Sequence, residues 1–143
     1  MQTIDLQSAL TIQSAAFKRA EELGLQPLAV VVLDIRGAVK TYAAQEGTSL
    51  LRFEVAHGKA YGALGLGIGS RAIFKRSEQQ PSFVNAVNNA AGGALIPVPG
   101  GVLIRSAEGT ILGAVGISGD TSDNDEICAI AGIQAVNLVA DGG

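Results

Sequence analysis

The segment Pro97-Val98-Pro99-Gly100-Gly101 constrains this chain more than any other, because no helix can run through it. Proline lacks the amide proton a helix needs, and paired glycines favour turns over regular structure. Beyond it, Val102-Leu103-Ile104 reads as a strand, closed by the turn Ser106-Ala107-Glu108-Gly109. Thr110 to Ser118 returns as a second strand, with Gly113, Gly116 and Gly119 spaced three apart. A glycine within a strand weakens it and marks close approach of another backbone or a ligand. Helix or subunit packing is the first expectation for this spacing. A ligand against the strand, near Ser118 and Gly119, is the second.

The remaining chain supplies what this hairpin packs against. Residues 5 to 23 repeat apolar positions at helical spacing, with Thr3 or Asp5 as cap and Gly24 as terminator. Leu28 to Asp34 is a continuous, largely β-branched run, as in a central strand covered on both faces. Ile35-Arg36-Gly37 turns it into a partner strand, Ala38 to Ala43. A second helix is predicted from a Thr48 or Ser49 cap to about Leu64. Leu51, Val55 and Gly62 share one face, and Leu50, Phe53, Tyr61 and Leu64 widen the apolar side. Two short helices follow, Arg71 to Glu78 and Pro81 to Ala91. The last helix starts after a Ser122 cap and buries Ile127, Ile130, Ile133, Val136 and Leu138, with Val139 near its end. The order is helix, two strands, two or three helices, three strands, helix. With both hairpins antiparallel, residues 1–143 form a single α+β domain, its helices packed on a largely antiparallel sheet.

Charged residues make up only 16% of the chain, below the roughly 25% of an average soluble domain. That deficit points to surface buried between subunits, hence self-association into a homo-oligomer. A net charge of −3 and 4% aromatic residues argue against nucleic acid as a partner. Cys128 is the single cysteine, so no internal disulfide forms. The start MQTIDLQSAL lacks a basic region followed by an apolar run, and no stretch is apolar for long enough to cross a bilayer. A soluble cytoplasmic protein without a membrane partner is expected.

Chemistry-bearing residues are few. His57 is the sole imidazole, able to serve as base, proton shuttle or haem ligand, or to sit partly exposed with no such duty. Lys59 lies among Ala56, Gly58, Ala60 and Gly62, where a lysine either snorkels to solvent or meets an anion. The acids Asp120, Asp123, Asp125 and Glu126 lack the glycine of a calcium loop and read as charge at a helix start. Gly65-x-Gly67-x-Gly69 follows a helix, so it is no phosphate loop, and Cys128 on a buried helix face reads as packing.

Four motifs in order, VVVLDIRG (30–37), VAHGKAYGALGLG (55–67), PVPGGVLIR (97–105) and ILGAVGISGDTSDNDE (111–126), resemble the GlcG/HbpS family over essentially the whole chain. The family positions fall on Asp34 and Gly37, Lys59 and Ala60, Pro99 to Gly101, and Gly113, Gly116, Ser118 and Gly119. The resemblance implies a profilin-like fold, a five-stranded antiparallel sheet flanked by helices, and an oligomer. It also implies a small-molecule binding protein, with haem or a related tetrapyrrole as ligand; His57, as the sole imidazole, is the candidate metal-ligating residue, although no residue here maps onto a ligand of the haem-binding members. Tyr42, Tyr61 and Cys128 are weaker options, and Met1 is set aside as a chain-end residue. The alternative is a lyase or isomerase acting on an organic acid. There the amides of the Pro99-Gly100-Gly101 turn and the charge of Lys59 would stabilise an oxyanion or carboxylate, and His57 or Asp34 would move the proton.

Overall fold

The computed structural model describes residues 2–143; Met1 lies outside them. The chain runs α1 (Leu6–Leu23), β1 (Ala29–Asp34), β2 (Val39–Ala44), α2 (Arg52–Leu66), α3 (Ser70–Gln79), α4 (Pro81–Ala90), β3 (Gly101–Arg105), β4 (Ile111–Ser118), α5 (Ser122–Gln134) and β5 (Val139–Asp141). The strands form one sheet in the order β2-β1-β4-β3-β5, with every pairing antiparallel. This is the five-stranded α+β architecture that the resemblance implies.

Strand β1 is buried along its whole length because helices cover both sides of the sheet. Its side chains alternate between two cores. Val30 and Val32 join Ile12, Ala16, Cys128 and Ile133 in the layer under α1 and α5. Val31 and Leu33 join Ala56, Ala60 and Ala63 in the layer under α2. Helix α1 starts where Asp5 accepts the Ser8 amide at 2.7 Å, and it ends at Gly24 in the left-handed conformation.

The β4 glycines let α2 come down onto the sheet. A Cβ at Gly116 would strike the Ala56 carbonyl and stand 3.0 Å from the Ala60 methyl, and one at Gly101 would strike the Lys59 backbone. Gly113 is approached instead by Leu33, and Gly119 by Pro27 and Leu28. Neighbouring helix and strand backbone therefore occupy the glycine-lined surface.

So close an approach shifts the inward face of α2 towards small residues, although Gly62 is buried and Phe53 and Leu64 pack partly against the core as expected. The buried side is Ala56, Gly58, Lys59, Ala60, Gly62 and Ala63. Of the bulkier residues expected to pack inward, Leu50, Leu51 and Tyr61 stand out, 91%, 63% and 36% exposed. Where α2 comes closest to the sheet, at Gly116, its contacts are the Ala56 carbonyl and the Ala60 methyl. The α2 N-cap is Leu51, with no side-chain bond, in place of Thr48 or Ser49.

The C-terminal region also departs from expectation. Thr121, not Ser122, caps α5, its hydroxyl accepting the Asn124 amide at 3.2 Å. The helix stops at Gln134, and Asn137 turns the chain in a left-handed conformation (φ 60°). Val139 then starts a three-residue edge strand on β3, held by Arg105 and Asp141 at 2.8 Å. The order is thus two strands, helix, strand, and Ile127 faces outward at 42% exposure. A strand of three residues has no periodicity to distinguish it from a helix end. Among the described residues, no helix is long and apolar enough to cross a membrane.

Candidate functional site

Helix α2 carries the two most reactive side chains on opposite sides. Lys59 points inward and is 2% exposed. Its Nζ donates to the Ile117 carbonyl at 2.9 Å and to Asp125 Oδ2 at 3.0 Å. Burial pulls the Lys59 ammonium below its usual range, against the pull of Asp125, and pushes the Asp125 carboxyl up. Asp125 Oδ1 accepts the Asp120 amide at 3.0 Å, which fixes the carboxylate in place.

The Pro99-Gly100-Gly101 turn lies directly over this ion pair. A Cβ at Gly100 would stand 2.9 Å from Lys59 Nζ, and the backbone there has φ +117°, which only glycine adopts readily. The Gly101 amide, however, donates to the Ser70 hydroxyl at 2.7 Å. Pro99 and Gly100 are buried, and Ser118, 1% exposed, accepts Arg52 Nη1 at 3.1 Å. Lysine and turn are adjacent, yet of two clefts on the surface neither is lined by Lys59, Gly100 or Gly101. Pro99 edges the smaller, about 290 Å³, together with Arg71, Phe74 and Asp123.

Asp34 ends β1 with its carboxylate turned back on its own turn. Oδ1 accepts the amides of Arg36 at 2.9 Å and Ala38 at 3.2 Å, and Oδ2 takes the Arg36 guanidinium at 2.9 Å. The Arg36 guanidinium, foremost, and these amides hold the carboxyl below the ordinary range despite its burial. Such a group accepts a proton poorly at neutral pH.

On the outer side of α2, His57 lies half-buried between two rings. Phe53 and Tyr61, four residues before and after it, stack on the imidazole with centroids at 5.5 Å each. Tyr42 from β2 meets Phe53 edge-on at 4.8 Å. With both ring faces covered, the edge that carries the nitrogens is what solvent or a ligand meets. No described residue hydrogen-bonds to the His57 imidazole. Burial lowers its pKa, so the imidazole is neutral at pH 7 and able to ligate a metal. Sequence reading placed Phe53 and Tyr61 on the packing side; their spacing from His57 is the signal that marks the ladder.

The other candidates have settled partners. Cys128 is fully buried, its thiol pushed up to about 11 by burial first and Asp125 second. Asp120 accepts from Gln26, Thr121 and Asn124, while Asp123 and Glu126 pair with Arg71. No cluster of three or more His, Cys, Asp or Glu side chains suited to a metal exists among the described residues. The larger cleft, about 390 Å³, lies beyond Tyr61, between the β1–β2 turn, α2 and α4.

A family model described as "Haem degrading protein HbpS-like" matches residues 4–134. Comparison with curated proteins gives no match. Among solved structures, the chain is similar to PduOC in its haem complex, at 23% identity and TM-score 0.84, covering 95% of this chain and 96% of that one. It is similar to Klebsiella pneumoniae protein ORFY at 24% identity and TM-score 0.86, covering 96% and 92%. Streptomyces reticuli HbpS, solved as a double mutant, follows at 23% identity and TM-score 0.81, covering 95% and 88%. At these identities the likeness concerns the fold.

Proposed function

Because the chain belongs to the HbpS-like family, we propose that it binds haem or a related tetrapyrrole on the outer side of α2, where His57 would hold the iron. The observation that carries this reading is the Phe53-His57-Tyr61 ladder, a neutral imidazole held edge-outward between aromatic rings. A flat apolar macrocycle needs such surroundings, and its iron needs a nitrogen that protons do not already occupy. Bound haem would bring a redox-active iron; the protein's own part is to hold it and limit access to it. The haem complex of PduOC, which shares the fold, supports this choice of ligand.

The reading includes a cytoplasmic protein that associates with itself. Leu50 and Leu51, just ahead of α2, are 91% and 63% exposed, and a neighbouring subunit would cover them. Lys59, Gly101 and Asp34 are already engaged by other groups of the chain. They receive the task of seating α2 and shaping the β1–β2 turn, and no observation favours a lyase or isomerase at that place.

Titration of the purified protein with hemin tests the proposal. A saturable Soret shift is expected, and His57→Ala removes or displaces it while circular dichroism stays unchanged. A wild-type spectrum indistinguishable from free hemin, or an identical Soret band in His57→Ala, overturns the assignment.

A further inference from the structure

The larger cleft touches that reading only at Tyr61; neither His57 nor Phe53 lines it. Its walls are Leu64 and Leu66 of α2, Val87 of α4, Leu95, and the ring of Tyr61. At about 390 Å³ it stands near the lower end of the ~300–1,000 Å³ typical of small-molecule sites. An apolar ligand of modest length suits such walls. One charged side chain, Arg36, stands at the rim.

Local chemistry of the β1–β2 turn puts that arginine there. Asp34 Oδ1 collects the Arg36 and Ala38 amides, and the Gly37 amide closes on the Asp34 carbonyl at 2.8 Å. These three amides are thus spent within the turn, and the Ile35 amide on the Thr3 hydroxyl at 3.0 Å. Arg36 bonds Asp34 Oδ2 through Nε at 3.3 Å and Nη2 at 2.9 Å, which anchors one edge of the guanidinium. Nη1 and the second Nη2 proton have no acceptor among the described residues. The Arg36 side chain is 70% exposed, whereas Asp34 is 4% exposed and does not line the cleft. A ligand entering here meets donors carrying positive charge and no facing carboxylate.

We propose that this cleft binds a medium-length aliphatic monocarboxylate, its chain among Leu64, Leu66, Val87 and Leu95 and its carboxylate on the free edge of Arg36. A guanidinium presents paired N–H groups that match a carboxylate. A phosphate dianion would find a single cation, already shared with Asp34, and an ammonium would meet like charge. The Tyr61 ring separates the two sites, stacking on His57 and lining the cleft.

Gly65 allows a test that does not unsettle the fold. It lies on α2, lines the cleft, and a Cβ there meets nothing within 4 Å. Gly65→Leu therefore fills the cleft while adding a better helix former. The experiment titrates octanoate into the protein and follows backbone amide shifts by NMR, with octylammonium as control. Saturable shifts are expected at Gly37, Gly62 and Gly65. Gly65→Leu and, separately, Arg36→Gln should each weaken binding roughly ten-fold or more, the latter through loss of a charge-assisted hydrogen bond. No saturable shift, binding undiminished in Gly65→Leu, or octylammonium bound as tightly as octanoate overturns the proposal. His57→Ala retains octanoate binding, so failure of the haem reading and failure of this one are told apart.

Discussion

His57 and Lys59 stand two residues apart on α2 and meet opposite environments. Two steps along an α-helix turn the side chain by roughly 200°. Lys59 is driven into the sheet, where Asp125 and the Ile117 carbonyl complete its bonding. His57 is left at the surface, its faces covered by Phe53 and Tyr61 and its edge free. The inner face is fixed by backbone contacts against glycine, the outer face only by stacked rings. Chemical reactivity by residue type would rank the lysine as high as the histidine. Access reverses that ranking: the group with unmet bonding capacity is the histidine.

Replacing Asp125 by alanine tests the inner face most severely. It leaves the Lys59 ammonium buried without its counter-charge, and the loss of a partner in a buried pair costs about 3–5 kcal/mol. Urea unfolding should show this, and Lys59→Met combined with Asp125→Asn should recover most of it, since asparagine can still accept the Asp120 amide. A loss below about 1 kcal/mol would place the pair among weak surface contacts and break the contrast. Gly116→Ala probes the same face with a single methyl. Its Cβ would collide with the Ala56 carbonyl, so α2 must shift, at about 1–3 kcal/mol and a lowered Tm. His57→Ala removes two stacked contacts from the outer face and should cost only about 1 kcal/mol. A thermal melt showing His57→Ala less stable than Asp125→Ala would invert the comparison.

These two faces also mark how far the sequence could be read. The Pro97–Gly101 turn, the two hairpins and the buried run of β1 have strong local signals, and the sheet follows from them. The glycines of β4 announced a close neighbour, and that neighbour is α2 at Gly116. The inner face of α2 was hidden because its residues are small: apolar periodicity weighs Leu51, Phe53 and Tyr61 above Ala56, Ala60 and Ala63. Asp125 looked like one more acid in a helix's first turn. Its bond to Lys59 joins elements 66 residues apart, a relation that spacing cannot encode. The same holds for the cleft, whose rim and walls come from three separate parts of the chain.

The smallest expected effect separates the faces by pH. Burial lowers the His57 pKa in the folded chain, while the unfolded chain keeps a value near 6.5. Between those two values the unfolded state binds more protons, so stability rises with pH across that window and is complete above about pH 6.5. Asp34 gives a slope of the same sign in a different place. Its folded pKa lies below the unfolded value of about 3.9, so its contribution is complete above that value and is lost as pH falls through the folded pKa. Urea unfolding at intervals from pH 5 to 7 therefore reads the imidazole as the part of the slope that His57→Ala removes, because Asp125, whose carboxyl burial pushes up, contributes equally in both proteins. Hemin affinity should fall over the same interval on acidification, because a protonated imidazole cannot ligate iron. A stability slope in His57→Ala equal to that of the wild type would mean that the imidazole is as well solvated folded as unfolded, and the outer face would lose the one property that sets His57 apart from an ordinary surface histidine.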